Sequence, residues 1–299
     1  MTFFKAKRQR ASKRFASLFV TGSMIAFFSL GEARAQADAS AALTNDQIII
    51  RYAEPGSSHL KPLQQKLMRW RYLEQLKEFL SPLRLPEGQK LRITMKECGS
   101  VNSWWSGRVD GLFLCYDFFD FAERAAPLEM NEDGMSRIDA ILGAMLQVTF
   151  HELGHGLFDI YDIPVFGREE DAADQISGFI VSQFGPKMTR RTLPGAAYLW
   201  KSFAAVEPAW SRLTYSDEHG HPLQRAYNYL CIAYGANPEE FQKEVDNGLL
   251  PKSRAENCAR EYRQIQNSFV KTILPHVDRE KMNVVRARQW LLPPAEPAN

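Results

Sequence analysis

The alternation of apolar and polar positions predicts a small β-sheet in the first third of the chain. Residues 48–52 and 91–95 have the pattern of strands, and two further strand-like runs cover residues 101–105 and 111–116. The polar, glycine-containing segment 106–110 is typical of a hairpin turn between the last two runs. Leucines and Trp70 recur at helical spacing over residues 60–80, which predicts one amphipathic helix.

From residue 117 onward the pattern is helical and is interrupted by prolines and glycines. One long helix is predicted to begin after Ser136, a suitable N-cap residue, with Asp139 in its first turn. Its apolar stripe runs into two ionisable residues and comprises Ile141, Met145, Val148, Glu152 and His155. Because the strands precede the helices, the order of elements predicts an α+β fold.

This helix contains the run His151-Glu152-Leu153-Gly154-His155, which is the H-E-x-x-H pattern of zinc peptidases. Residues four apart share a helix face, so His151 and His155 can bind one ion together. Glu152 is then close enough to take a proton from water that the ion activates. A pair of capping or packed histidines is the alternative, but burying these groups without an ion is costly. The pattern therefore predicts a zinc site.

A catalytic zinc site takes three protein ligands and a water molecule. Phe158 and Tyr161 stand where the metzincin pattern has Gly and His, so that class is excluded. Pro164 and Gly167 mark a break, after which a second helix is predicted to begin near residue 168.

Carboxylates on this second helix are the candidates for the third ligand. We expect Glu170 to bind the ion, with Glu169 as the alternative. Asp174 shares a helix face with Glu170 and is expected to orient a ligand histidine through its other ring nitrogen. Alternatively, residues 169–171 are first-turn acids that only complement the helix dipole.

The run HELGHGLFDIYDIPVFGREEDAADQIS resembles a bacterial domain-of-unknown-function family labelled "putative metallopeptidase". Within it, Glu170-x-x-x-Asp174 resembles the gluzincin arrangement of thermolysin-like enzymes, at a slightly shorter separation from H-E-x-x-H. The likeness extends over most of the chain, through residues 98–102, 114–116, 217–219, 225, 231 and 234–238. It implies a zincin-like fold, with an N-terminal twisted sheet and active-site helix (about 46–165) and a C-terminal helical lobe (about 166–299).

The resemblance also implies roles for residues outside the zinc ligands. His219 occupies the position of the histidine that stabilises the oxyanion in thermolysin-like enzymes, with His221 as the alternative. Arg225, which follows on a helix, is a further candidate for stabilising the oxyanion. A solvated turn at residues 217–221 is the other interpretation.

The run Asn102-Ser103-Trp104-Trp105 resembles the Asn-Ala-x-aromatic edge strand of gluzincins, with Ser103 in place of Ala. In those enzymes the edge strand pairs with the extended substrate, so Asn102 and Trp104 are expected to bind it. The alternative is an ordinary strand with one core and one surface tryptophan.

Residues 1–35 have the pattern of a signal peptide, with a basic segment, an apolar stretch at 15–30 and the cleavage site Ala33-Arg34-Ala35. The apolar stretch is shorter than the ~20 residues of a membrane span, although an uncleaved anchor is the alternative. The leader holds seven of the 37 basic residues and one of the 35 acidic ones, so residues 36–299 have a net charge of −4. We therefore expect a secreted or periplasmic protein with no nucleic-acid partner and no membrane span after cleavage.

The four cysteines, Cys98, Cys115, Cys231 and Cys258, all follow the leader. An even number of cysteines in an exported protein predicts two disulfides. Three pairings are possible, and we expect the local ones, Cys98–Cys115 and Cys231–Cys258. A Cys/His metal site is disfavoured because no C-x-x-C spacing is present.

Together these features predict an exported peptidase with one Zn²⁺ ion, acting on a peptide or protein substrate. Two alternatives remain at this point. One is a zincin-fold module that binds the metal without catalysis, and the other is a metal-dependent amidase that acts on cell-wall material.

Overall fold

The computed structural model describes residues 43–131, 134–206 and 216–288. The predicted signal peptide lies outside the described residues. Ala42–Asn299 form one compact unit, and the division of this unit into a sheet lobe and a helical lobe remains a prediction.

A four-stranded mixed sheet contains the predicted strands, in the spatial order β1-β2-β4-β3. Its strands are β1 (Ile48–Tyr52), β2 (Leu91–Lys96), β3 (Ser103–Ser106) and β4 (Gly111–Cys115). β1, β2 and β4 are parallel, whereas β3 is antiparallel to β4 and forms one edge of the sheet. The predicted hairpin between residues 101 and 116 is thereby confirmed, and within the described residues no strand pairs with the other side of β3.

Helices make up most of the remaining structure, which confirms the α+β class. They are α1 (Lys61–Arg69), α2 (Tyr72–Leu80), α3 (Tyr116–Ala125), α4 (Arg137–Ile160), α5 (Glu169–Ser182), α6 (Pro186–Val206), α7 (Pro222–Ala236), α8 (Gln242–Asp246), α9 (Lys252–Thr272) and α10 (Arg279–Ala287). Among the described residues, none of these helices is both long enough and apolar enough to cross a membrane.

The helix predicted over residues 60–80 is two helices. α1 ends at Arg69 and α2 begins at Tyr72, because Arg71 adopts a left-handed backbone conformation with φ of 55°. Both helices keep the predicted apolar stripe, since Leu63, Leu67, Leu73 and Leu76 are buried. The stripe alone did not reveal the break, because no glycine or proline marks it.

α4 is the central helix of the fold. Its N-cap is Ser136, whose side chain accepts a hydrogen bond from the backbone N–H of Asp139, as predicted. Almost every residue from Ala140 to Leu157 is buried, so the helix is covered on all sides rather than along one stripe. The H-E-x-x-H residues therefore lie in the interior of the protein, where a polar group requires a partner.

A glycine contact sets the distance between α4 and α6. A Cβ atom on Gly143 would collide with the backbone of Thr192, Gly195 and Ala196. The two helix backbones consequently touch at this crossing, which no other residue type permits without displacing one helix.

Both predicted disulfides are present. Cys98–Cys115 joins the segment after β2 to the end of β4, and Cys231–Cys258 joins α7 to α9. Cys115, Cys231 and Cys258 are almost fully buried, so the second bond joins two core helices and the first fastens the segment after β2 to the core.

Removal of the Cys231–Cys258 bond is expected to destabilise the protein. The bond closes a loop with a sequence separation of 27 residues. The entropy gained by the unfolded chain predicts a loss of about 3–4 kcal/mol in the free energy of unfolding. Denaturant titration of a Cys231→Ser/Cys258→Ser variant measures this loss, and the Cys98→Ser/Cys115→Ser variant provides the comparison. Equal unfolding midpoints for the wild type and the Cys231/Cys258 variant would contradict the prediction.

Candidate functional site

The two histidines of α4 and a glutamate of α5 converge on one point. The Nε2 atoms of His151 and His155 are 3.3 Å apart. The Oε2 atom of Glu170 lies 2.9 Å from the first and 3.4 Å from the second. The three side chains thus present two imidazole nitrogens and one carboxylate oxygen to a common centre.

These separations suit a zinc ion. Zinc binds imidazole nitrogen and carboxylate oxygen at about 2.0–2.2 Å, so tetrahedral ligand atoms lie roughly 3.3 Å apart. The three observed separations, 2.9, 3.3 and 3.4 Å, lie close to that value. His151, His155 and Glu170 therefore fit the group that the sequence motif implies, and Glu169 does not share their centre.

Each ligand histidine is held by a second carboxylate through its other ring nitrogen. Nδ1 of His151 lies 2.8 Å from Oδ1 of Asp174, and Nδ1 of His155 lies 2.7 Å from Oε1 of Glu169. Such contacts orient the imidazole and direct Nε2 towards a metal. Glu169, the alternative third ligand in the sequence, thus lies where it orients His155.

Asp174 is a buried charge with several partners. Its two oxygens accept hydrogen bonds from Nε and Nη2 of Arg225, at 2.6 and 2.7 Å. Tyr229 donates to Oδ1 at 2.9 Å, and Gln147 lies 3.3 Å from the same oxygen. The Arg225 guanidinium also stacks on the Trp200 ring, at 3.5 Å from its centroid. Arg225 is only 4% exposed, so it is committed to Asp174 rather than directed into open space.

The protonation of the site reflects this network. Burial lowers the pKa of His151, but its hydrogen bonds with Asp174 and Glu170 outweigh burial and raise the pKa to about 9. Burial would raise the pKa of Glu170, yet the hydrogen bonds from three histidines hold it well below its usual range. Because zinc binds the neutral imidazole, metal binding at this centre would compete with protons.

Glu152 lies beside this centre and contacts the edge strand. Its Oε2 accepts a hydrogen bond from the backbone N–H of Trp105, at 3.1 Å. Burial raises the pKa of its carboxyl, partly offset by His151 and His155. A buried carboxyl with a raised pKa is suited to both accepting and donating a proton.

Trp105 fastens β3 to α4, which the sequence did not reveal. Its indole N–H donates to Asp159 Oδ2 at 2.8 Å, two turns beyond Glu152 on α4. Its ring packs so closely on Gly156 that a Cβ atom there would lie 2.8 Å from the ring. Glu152, Gly156 and Asp159 share one face of α4, and their spacing in the sequence was the signal that could have indicated the contact with Trp105.

His219 reaches the same centre from the segment before α7. Its Nε2 lies 2.8 Å from Glu170 Oε2, and its Nδ1 lies 2.9 Å from Asp217 Oδ1. The hydrogen bond with Glu170 raises the pKa of His219 against the effect of burial. His221 instead caps α7, because its Nδ1 accepts the backbone N–H of Leu223 at 3.2 Å.

A cleft of about 550 Å³ opens onto the centre. Its lining includes Asn102 from the sheet edge, His151 and Glu152 from α4, and His219 and Arg225 from the helical part. The structure thus brings one predicted metal ligand, His151, together with the predicted base, the predicted oxyanion residues and Asn102 to one cavity.

Trp104 is not among the residues that line this cleft. Successive strand residues point to opposite faces of a sheet, and Trp105 faces α4. The Trp104 ring stacks on Phe113 at 5.2 Å, and Lys96 Nζ lies over it at 4.7 Å. Its predicted contact with substrate therefore has no geometric support in the described residues.

Comparison with protein families gives one match. Residues 52–273 match the model of the DUF4344 family, whose description is "Putative metallopeptidase". No curated protein and no solved structure matches the chain significantly.

Asp174 and Glu169, the carboxylates that hold the two histidines, are expected to differ in their contribution to stability. Asp174→Asn leaves the buried Arg225 without its charge partner, so we expect a loss of about 3–5 kcal/mol in the free energy of unfolding. Zinc affinity should also fall about 10- to 100-fold, because His151 loses its orienting carboxylate. Glu169→Gln is the matched control, since the Glu169 side chain is 53% exposed, and its stability should stay close to that of the wild type. Denaturant unfolding and zinc competition titrations measure both effects, and equal losses in the two variants would refute the distinction.

Proposed function

We propose, since this chain belongs to the family described as "Putative metallopeptidase", that it is an exported zinc-dependent peptidase of the gluzincin type. One observation carries the proposal. A three-ligand centre of two histidines and a glutamate lies beside a buried carboxyl, Glu152, on the wall of an open cleft.

His151, His155 and Glu170 would hold the ion. When bound at such a site, zinc lowers the pKa of water and polarises a carbonyl oxygen. Asp174 and Glu169 keep the Nε2 atoms of the two histidines directed at the centre. Because Glu170 stays ionised, it also offsets part of the charge of the ion.

Glu152 would act as the general base and then as the general acid. Burial raises its pKa, which moves the carboxyl towards the range in which it can take a proton and return it. It would accept a proton from the attacking water and deliver that proton to the leaving amine. The hydrogen bond from the Trp105 N–H fixes one of its oxygens, so the carboxylate is oriented before substrate arrives.

His219 would stabilise the oxyanion once substrate is present. It is the more exposed histidine of the centre, with 43% of its side chain accessible, and it lines the cleft. For Arg225 we propose a positioning role, because both of its bonded nitrogens are directed at Asp174. It would act through Asp174 and His151 instead of touching the substrate.

The cleft has features that suit a peptide. The free edge of β3 borders it through Asn102 and Ser103, so an extended chain can add to the sheet there. Two further lining residues carry buried polar atoms without a partner in the described part of the chain, namely Gln147 Oε1 and Trp200 Nε1. An acceptor and a donor of this kind match the N–H and C=O groups of an amide.

Export and the zincin-like fold are part of the same proposal. Two disulfides fit an oxidising compartment, as does the predicted signal peptide. A sheet whose antiparallel edge strand lies against a central H-E-x-x-H helix supports the zincin likeness.

A metal-binding module without catalysis is the second candidate. Its supporting observation is His219, which comes close enough to Glu170 to restrict the centre. The open cleft beside Glu152 favours the enzyme.

The Glu152→Gln variant distinguishes the two candidates. It should bind zinc as the wild type does but hydrolyse a peptide library at least about a hundredfold more slowly, because the proton acceptor is lost. Zinc content by metal analysis and chelator-sensitive cleavage by mass spectrometry measure both properties. Wild-type zinc binding without any cleavage would establish the module, and an active Glu152→Gln variant would refute the role of Glu152.

Asn102 and Trp104 provide a matched pair at the sheet edge, because Asn102 lines the cleft and Trp104 does not. Asn102→Ala should lower kcat/KM about three- to tenfold through the loss of a substrate hydrogen bond, without loss of zinc. Trp104→Ala removes a ring that stacks on Phe113 and should leave kcat/KM nearly unchanged. Steady-state kinetics on one peptide substrate tests both. If Trp104→Ala is the more impaired variant, substrate pairing at this edge is wrong.

A further inference from the structure

The three histidines around Glu170 have the same pattern of contacts. The Nε2 atoms of His151, His155 and His219 lie 2.9, 3.4 and 2.8 Å from Glu170 Oε2. The ligating atoms of His151, Glu170 and His219 all lie within 4.8 Å of one another, in a group that does not include His155. His219 is therefore as near to the shared carboxylate oxygen as either histidine of the H-E-x-x-H motif.

The other nitrogen of each ring is held by a separate carboxylate. Asp217 does for His219 what Asp174 does for His151 and Glu169 does for His155. Asp217 Oδ1 also accepts the backbone N–H of His219, at 2.8 Å, so the residue is oriented through both its ring and its backbone. An imidazole with a carboxylate on Nδ1 and a directed Nε2 is the usual arrangement of a metal-bound histidine.

The neighbouring histidine shows that this arrangement is particular to position 219. His221 lies two residues further along the same segment and lines the same cleft. Its Nδ1 accepts the backbone N–H of Leu223, which engages the ring in capping α7.

We propose that His219 is a displaceable fourth protein ligand of the metal centre. With His151, His155 and Glu170 it would complete four-coordination, as in closed structural zinc sites, and leave no position for water. The resting protein would then be latent. It would become active when His219 leaves the ion and takes up its role towards the oxyanion. This inference rests on the proposed function and adds a regulatory state to it.

His219 is the ligand best able to leave. Its side chain is 43% exposed, compared with 14% for His155 and 4% for His151. It lies on a short segment before α7 rather than within a helix, whereas the other ligands belong to α4 and α5. Substrate that enters the cleft reaches His219 directly, because the residue is part of the lining.

X-ray absorption spectroscopy on the zinc-loaded protein tests the proposal, since it counts imidazole ligands without any need for activity. We expect three imidazoles in the wild type and two in His219→Ala, with an oxygen in place of the third. The matched control is His221→Ala, which should keep all three.

The outcomes separate this proposal from the proposed function. Two imidazoles in the wild type and in both variants would overturn the ligand role of His219 while leaving the peptidase intact. A failure of the wild type to bind zinc stoichiometrically would overturn both.

Azide titration of the cobalt-substituted protein provides a second measurement, and His219→Gln serves as a further variant if His219→Ala does not fold. If the open state is a tenth of the wild-type population or less, removal of His219 should tighten azide binding at least about tenfold. The visible spectrum of cobalt reports the binding. Equal azide affinities in the wild type, His219→Gln and His221→Ala would overturn the proposal.

Discussion

The ion pair between Asp174 and Arg225 is the interaction on which the site depends. Both side chains are almost fully buried, and a buried charge is stable only when it is paired and hydrogen-bonded. Two bonds from Arg225, one from Tyr229 and one from Gln147 meet this requirement, and Asp174 also contacts His151. Helices α4, α5 and α7 are thereby joined through one carboxylate, which also orients a ligand. The same carboxylate atoms therefore contribute both to the stability of the helical core and to the geometry of the metal centre.

The sheet contributes to the chemistry through a single edge. β3 is antiparallel to its neighbour, and its free side faces α4. The Trp105 backbone holds Glu152, and the Trp105 side chain reaches Asp159 two turns away. Glu152 and β3 are therefore fixed relative to each other, so under the proposed function a substrate that pairs with β3 would be placed in register with Glu152.

Local patterns in the sequence predicted the parts of the site that depend on local spacing. H-E-x-x-H, the break after α4 and the spacing of Glu170 and Asp174 all lie within 24 residues, where helix periodicity determines which side chains share a face. Both disulfides and the N-cap Ser136 were likewise predicted from residues that lie close together in the sequence. Contacts between elements that are distant in the sequence could not be predicted in this way. The stacking of Trp200 on Arg225, the clamp of Trp105 on Asp159 and the turn at Arg71 depend on how the elements pack, which periodicity does not encode.

The glycine crossing of α4 and α6 has a mechanical consequence. Where two helix backbones touch at Gly143, neither can rotate or slide without a steric clash, so α4 is held in a fixed position. The turns of α4 that carry His151 and His155 therefore keep their place while neighbouring segments adjust. Because Trp105 fastens β3 to α4, any widening of the cleft then has to come from the segment that carries His219. The cleft thus has one fixed wall, formed by α4, and one adjustable rim, which carries His219. Differences in substrate choice among similar chains should accumulate in this rim.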